Sequence, residues 1–167
     1  MIITLFGASH PTEDEYKQAY ELGKKIGLKG FILKNGSYGG TMEASAKGCR
    51  EGGGIVIGVG VEGHTIDRKK KPNNYNSHII VKPNKNERII EMLDADVIIV
   101  LPGQIGTLEE MFISWVEAIV EDKKPVVIVG QKMSCFIEYL STNNFIRKQQ
   151  LKYIKLVDHI DEIEVIG

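Results

Sequence analysis

Apolar residues, most of them β-branched, collect in short runs along the chain: Ile2–Phe6, Phe31–Leu33, Ile55–Val59, His78–Val81, Val97–Leu101, Val126–Val129 and Ile154–Val157. Runs without polar alternation read as strands buried on both faces, the state of parallel strands inside an α/β sheet. Most of the intervals between them carry apolar positions at helical spacing. After Val97–Leu101, Pro102 and Gly103 stop the strand, and Leu108, Met111, Phe112, Trp115, Val116 and Ile119 then mark one face of a helix opening at Gly106-Thr107. Thr12 stands three residues before Glu15, a capping-box spacing, and the helix behind it is expected to bury Tyr16, Ala19, Tyr20, Gly23 and Ile26 before breaking at Gly27 and Gly30.

The same pattern places a glycine turn over Asn35–Gly40, then a helix over Thr41–Glu51 with Met42, Ser45, Ala46 and Cys49 inward, closed by Gly52–Gly54. Further helices are expected over Asn86–Leu93 and Met133–Leu140, with a polar helical piece over Asn144–Gln150 and a short helix in the tail. Residues 60–77 have no periodicity and include the basic run Arg68-Lys69-Lys70-Lys71, so they read as a long loop of the lid or binding type. Strands separated by helix-length segments imply right-handed crossovers and a doubly wound α/β parallel sheet, a single domain over 1–167. Ligands of such sheets sit beyond the carboxyl ends of the strands. Both glycine turns follow strands, so both are expected on that edge.

Composition narrows the function classes. A length of 167 residues is enough for a substantial core, and a net charge of −1 provides no global field toward nucleic acid or a membrane surface. Neither is expected as a partner, and an anionic ligand has to be held locally. Cys49 and Cys135 lie far apart, each in an apolar context, which suits a reduced cytoplasmic setting. No basic leader precedes Ile2, and no apolar run reaches membrane-spanning length, so a soluble cytosolic protein is expected. His10, His64, His78 and His159 have no metal-ligand spacing with one another or with cysteine; no metal and no cofactor is expected.

The sequence strand, glycine turn, helix N-terminus over Asp96–Glu110 presents unpaired amides and the positive end of a helix dipole, which together form a cradle for phosphate. The turn Gly36–Gly40 lacks the dinucleotide spacing and its ribose-binding acid, and neither turn ends as a Walker loop. No Gly-x-Ser-x-Gly element or Cys/His pair points to acyl transfer. Glu110 follows Thr107 at capping-box spacing, so spacing alone leaves it open between a cap and a chemical role. Arg88, near the start of the preceding helix, is equally open between a solvated arginine and a site residue.

Pro102-Gly103-Gln104-Ile105-Gly106-Thr107-Leu108-Glu109-Glu110 resembles the Pro-Gly-Gly-x-Gly-Thr-x-x-Glu signature of the LOG family, the cytokinin-activating phosphoribohydrolases once labelled lysine decarboxylases. Gly36-Ser37-Tyr38-Gly39-Gly40-Thr41-Met42-Glu43-Ala44, followed by Gly48 and Gly53, is similar to that family's other glycine stretch, and Phe6-Gly7-Ala8-Ser9 to its opening turn. The resemblance implies a Rossmann-like fold, a homodimer, and hydrolysis of the N-glycosidic bond of a nucleoside 5′-monophosphate. It also implies the roles. Glu110 and Arg88 would be catalytic, and the nucleotide would be held by Gly103, Gln104, Ile105, Gly106, Thr107 and Glu109 from one turn, by Gly36, Ser37, Gly39, Gly40 and Met42 from the other, and by Ser9. Gln104 stands where the signature has its second glycine, and Arg88 one residue closer to Glu110 than the family's arginine. The competing reading is a module that binds a nucleotide or phosphorylated cofactor without turnover, as molybdenum-cofactor carriers do. A decarboxylase is the weakest option, since neither glycine turn holds a lysine for a pyridoxal Schiff base.

Overall fold

Every apolar run named above becomes a strand in the computed structural model, which describes residues 1–62, 71–123 and 125–164. In chain order the elements are β1 (Ile2–Phe6), α1 (Glu13–Leu28), β2 (Ile32–Asn35), α2 (Thr41–Glu51), β3 (Ile55–Val61), β4 (His78–Lys82), α3 (Lys85–Leu93), β5 (Val97–Val100), α4 (Ile105–Val120), β6 (Val126–Val129), α5 (Gln131–Thr142) and β7 (Ile154–Val157). Short 3-10 turns occupy Lys148–Tyr153 and, in the tail, Ile160–Glu162; of the polar helix expected over Asn144–Gln150, residues 144–147 carry no helix. The strands form one sheet of order β4-β3-β2-β1-β5-β6-β7, parallel at every pairing. Of the long loop expected over 60–77, residues 60 and 61 belong to β3, residues 71–77 carry no helix or strand, and most of the basic run lies outside the described residues.

Successive strand residues serve opposite layers, as the pleat requires. Ile3, Leu5, Val127 and Val129 pack with Ala19, Leu22, Ile26 and Cys49 of α1 and α2. Phe6, Val100, Val126 and Ile128 pack with Met92, Met111, Trp115 and Ile137 on the other face. The central strands β1, β5 and β6 are covered on both sides and have no solvent face to demand alternation, which is why they read as continuous apolar runs, whereas the edge strand β4 leaves Ile79 and Val81 exposed.

The α1 and α2 backbones touch. A methyl on Gly23 would lie 2.0 Å from the Ser45 carbonyl oxygen, and one on Gly48 2.0 Å from that of Tyr20. Gly27 and Gly52 extend the same seam. The N-terminus of α1 has the expected capping box, with Glu15 N–H donating to Thr12 Oγ1 and Thr12 N–H donating to Glu15. Tyr16, by contrast, is exposed. It stands in the first turn, before the helix reaches the seam. No helix of the described residues is long and apolar enough to cross a membrane.

From β1 the chain steps outward through β2, β3 and β4, then returns by α3 to β5 on the other side of β1. The direction of winding therefore reverses between β1 and β5. At that switch point the carboxyl ends of neighbouring strands diverge and leave a crevice.

Candidate functional site

Three turns meet at the crevice: residues 7–11 after β1, 36–40 after β2 and 101–104 after β5. Gly40 has φ +71°, and a methyl there would lie 2.4 Å from the Ala8 carbonyl oxygen, so only glycine lets the second turn close on the first. Thr41 seals that contact from the start of α2, its N–H donating to Ala8 O at 2.9 Å and its hydroxyl to the same oxygen at 3.0 Å. Across the crevice, Gln104 Nε2 donates to His10 O at 3.4 Å. Ser9 is exposed at this rim, with its hydroxyl 3.1 Å from His10 Nδ1.

Helix α4 starts at Ile105, one residue before the expected opening at Gly106-Thr107. Gln104 is the N-cap and makes no side-chain cap bond, so Ile105, Gly106 and Thr107 form the first turn. Leu108 is the residue whose N–H first closes the helical ladder, onto Gln104 O at 3.0 Å. Of the two roles that spacing left open for Glu110, the cap is ruled out: Thr107 is buried at the third helical position beside Gly103, and Glu110 stands in the second turn. Ile105 is 82 % exposed and a methyl on Gly106 would meet nothing, which leaves the first-turn amides open to an anion.

Arg88, from α3, meets Glu110. Its Nη1 lies 3.3 Å from Glu110 Oε1, and the two side chains are only 14 % and 18 % exposed. Its Nε donates to Val59 O at 3.0 Å, so the guanidinium is anchored on β3 while it faces the carboxylate. The guanidinium also lies against the second glycine turn, because a methyl on Gly36 would come within 2.4 Å of Arg88 Nη2 and 2.6 Å of Met42 Sδ. Gly36, Met42, Arg88 and Glu110 thus form one contiguous group. Burial pushes the Glu110 carboxyl above its ordinary value of 4.5, with Arg88 pulling it back down. Arg88 reaches Glu110 although it stands one residue closer than the family's arginine, while its neighbour Glu87 is held by the helix N-cap Asn84, donating its N–H to Asn84 Oδ1 and accepting from Asn84 Nδ2.

Other expected site residues are placed differently. Ser37 is fully buried at φ +67°, its N–H is held by Asn35 Oδ1 at 2.9 Å, and its hydroxyl points inward toward Gly60. Its carbonyl takes Asn73 N–H at 2.8 Å, Asn73 Nδ2 at 2.9 Å and Asn76 Nδ2 at 3.2 Å. Glu109 is turned outward and pairs with Lys85. Gly39 borders open space. Asn35, Asn73, Asn76 and the Val59 carbonyl were not picked out from sequence; the one available signal was an asparagine-rich segment leading into β4. Above the pair, a crevice of about 30 Å³ opens between α3 and α4, lined by Arg88, Ile89, Glu109, Glu110 and Ile113. A larger cavity of about 570 Å³ lies at the opposite, amino edge of the sheet, lined by Met1, Asp96, Val97, Ser114, Lys123 and Ile163 and by neither Arg88 nor Glu110.

With the glycine turns, the buried pair and the open helix end on one rim, the match to a family model spanning residues 1–158 is decisive. The chain belongs to the SLOG cluster4 family, a LOG-like group. This SLOG cluster4 protein is similar to an uncharacterized protein of Archaeoglobus fulgidus, 34 % identical over 137 residues that cover 80 % of this chain and 87 % of that one. It is also similar to the cytokinin riboside 5′-monophosphate phosphoribohydrolase of Mycobacterium tuberculosis, 24 % identical over 168 residues covering 96 % and 89 % of the two chains. Among solved structures it shares its fold with the molybdenum cofactor binding protein of Rippkaea orientalis, with a TM-score of 0.75, 23 % identity and coverage of 99 % and 94 %.

Proposed function

We propose that this SLOG cluster4 protein hydrolyses the N-glycosidic bond of a nucleoside 5′-monophosphate, releasing free base and ribose 5-phosphate. The observation that carries this reading is the largely buried Arg88–Glu110 pair, whose carboxylate stands on α4, the helix whose open N-terminus can take a phosphate. Glu110 lies five residues beyond Ile105, about 7.5 Å along the helix axis. That distance suits a ribose 5-phosphate with its phosphate on the first-turn amides and its anomeric carbon over the carboxylate. Breaking the C1′–N bond builds positive charge on the sugar, and a fixed carboxylate in a poorly solvated site stabilises it. Water then adds its hydroxyl to C1′ and its remaining proton goes to the departing base. Arg88 keeps Glu110 ionised against the cost of burial and holds it in place. The Mycobacterium tuberculosis relative, named for this class of reaction, supports the assignment.

One observation favours a second reading. Gln104 puts a side chain at the helix N-cap and reaches across to His10 O, where the LOG signature has a glycine. A carrier of a phosphorylated ligand needs a cradle but no turnover, and the Rippkaea orientalis fold neighbour is named for cofactor binding. Incubating purified protein with a panel of purine and pyrimidine nucleoside monophosphates, and resolving free base by chromatography, separates the two. Base release that disappears in Glu110→Ala and Arg88→Ala supports hydrolysis. Calorimetric binding of a monophosphate without release supports the carrier, and neither binding nor release refutes both.

We further propose a homodimer, with a contact face that does not include Trp115. Trp115 is buried inside the chain, its Nε1 donating to Gln150 O at 3.0 Å. The face proposed for the contact is that of α3 and α4, where Ile90, Val116 and Val120 are 56–70 % exposed. Light scattering of the wild type and of Val116→Glu tests this: a dimer mass that falls to a monomer in the variant is expected, and a wild-type monomer refutes it.

A further inference from the structure

β2 ends in two consecutive polar residues, Lys34 and Asn35, both fully buried in a strand whose other positions are apolar. Neighbours in a strand point to opposite faces, and here each reaches the helix layer on its own side. Asn35 holds the α2 side: its Nδ2 donates to Met42 O at 2.8 Å, and its Oδ1 takes the Ser37 N–H. Lys34 holds the α3 side. Its Nζ donates to Glu91 O at 2.8 Å, to Asp94 O at 2.7 Å and to Glu91 Oε1 at 3.2 Å, using all three ammonium protons. Thr4, from β1, supplies a further tie with its hydroxyl on Met92 O at 2.7 Å.

The carboxyl end of α3 is therefore capped by side chains rising out of the sheet. A buried lysine is a costly way to fill a strand, since an apolar residue of similar volume packs there without desolvating a charge. What the ammonium adds is a fixed register between α3 and β2, together with a favourable charge at the negative end of the helix dipole. Arg88 sits one turn before Glu91 on the same helix, so a shift or rotation of α3 carries the guanidinium with it. Lys82 also binds Glu91, at 2.8 Å, but it touches only the carboxylate and no backbone carbonyl.

We propose that Lys34 is a positioning residue: by holding the carboxyl end of α3 on β2 it sets where the Arg88 guanidinium meets Glu110. The proposal rests on the reading of Arg88 and Glu110 as the working pair, and its test does not depend on turnover. The Nε–H of Arg88, bonded to Val59 O, is a direct reporter of guanidinium placement. In ¹⁵N-labelled full-length protein, with the signal assigned by its loss in Arg88→Lys, its hydrogen exchange is expected to speed up about tenfold or more in Lys34→Met. Thr4→Val, which removes the uncharged tie, is expected to act in the same direction by a smaller factor, and Lys82→Ala is expected to leave the signal unchanged. A folded Lys34→Met with wild-type protection of Arg88 Nε–H overturns the proposal; should that variant not fold, wild-type protection in Thr4→Val overturns it. If the wild type releases base, Lys34→Met is expected to lower kcat roughly tenfold with KM within about twofold, because substrate contacts are intact while the reacting geometry is not. Absence of base release by the wild type refutes the proposed reaction, and the exchange measurement still decides the role of Lys34.

Discussion

Removing Arg88 tests the electrostatics of the site without any substrate. Arg88→Ala takes away a guanidinium 3.3 Å from a carboxylate that is 82 % shielded, together with the bond from Nε to Val59 O. The bond is worth about 1 kcal/mol at any pH. The charge pair at that distance has a raw attraction of about 5 kcal/mol at an effective dielectric near 20. Truncating one partner of a buried pair usually costs about 3–5 kcal/mol, but Glu110 can escape part of that by taking up a proton. Burial already raises its pKa in the wild type, and losing Arg88 removes the main influence pulling it down. An acid whose pKa is higher folded than unfolded binds more protons in the folded state, so stability falls as pH climbs above the ordinary carboxylate value of 4.5. The variant is therefore expected to lose about 3 kcal/mol at pH near 8 and only about 1 kcal/mol at pH near 4.5, where the neutral acid needs no partner. Urea unfolding of both proteins at the two pH values measures it. Equal losses at both, or a larger loss in acid, would show that the pair is not the reason Arg88 matters and would undo this account of the site.

Other outcomes follow from the same structure. Gly48→Ala drives a methyl to 2.0 Å from the Tyr20 carbonyl and is expected to cost about 3 kcal/mol by urea unfolding, whereas Gly106→Ala, whose methyl meets nothing, is expected to stabilise by about 0.5 kcal/mol. Gln104→Ser supplies the N-cap acceptor that glutamine does not and is expected to add about 1 kcal/mol in thermal melts. Gln104→Asp should stabilise similarly while weakening orthophosphate binding in calorimetry, because its charge competes for the same amides. Burial lifts the Cys49 thiol to about 11, so at pH near 8 iodoacetamide is expected to label exposed Cys135 quickly and Cys49 only once the chain unfolds, as read by mass spectrometry.

The strands were legible because a two-sided sheet writes itself as unbroken runs of apolar residues, and the glycine turns because only glycine fits where Gly40 passes Ala8. Glu110 and Arg88 could be named from the likeness to the LOG signature, but that they touch is a property of how α3 lies over β3, which no local pattern encodes. The role of Glu110 stayed open in the sequence for a specific reason. Thr107 and Glu110 have the spacing of a cap, and nothing local distinguishes them from Thr12 and Glu15, where the cap is real. Trp115 lay on the expected apolar stripe, yet periodicity does not say which half of a wide stripe meets the sheet and which half is left over. Lys34 escaped notice because a lysine at the end of a strand normally reads as the onset of solvent. Its role depends on carbonyls 57 and 60 residues away in sequence.

The glycine seam between α1 and α2 constrains how this protein can vary. At Gly23, Gly27, Gly48 and Gly52 the neighbour is peptide backbone, which cannot trade a larger side chain for a smaller one. Single replacements therefore have no partner substitution that rescues them, and a randomised library selected for folding should return glycine at all four. Diversity in the protein has to accumulate on the layer of α3, α4 and α5, the layer that also carries Arg88 and Glu110.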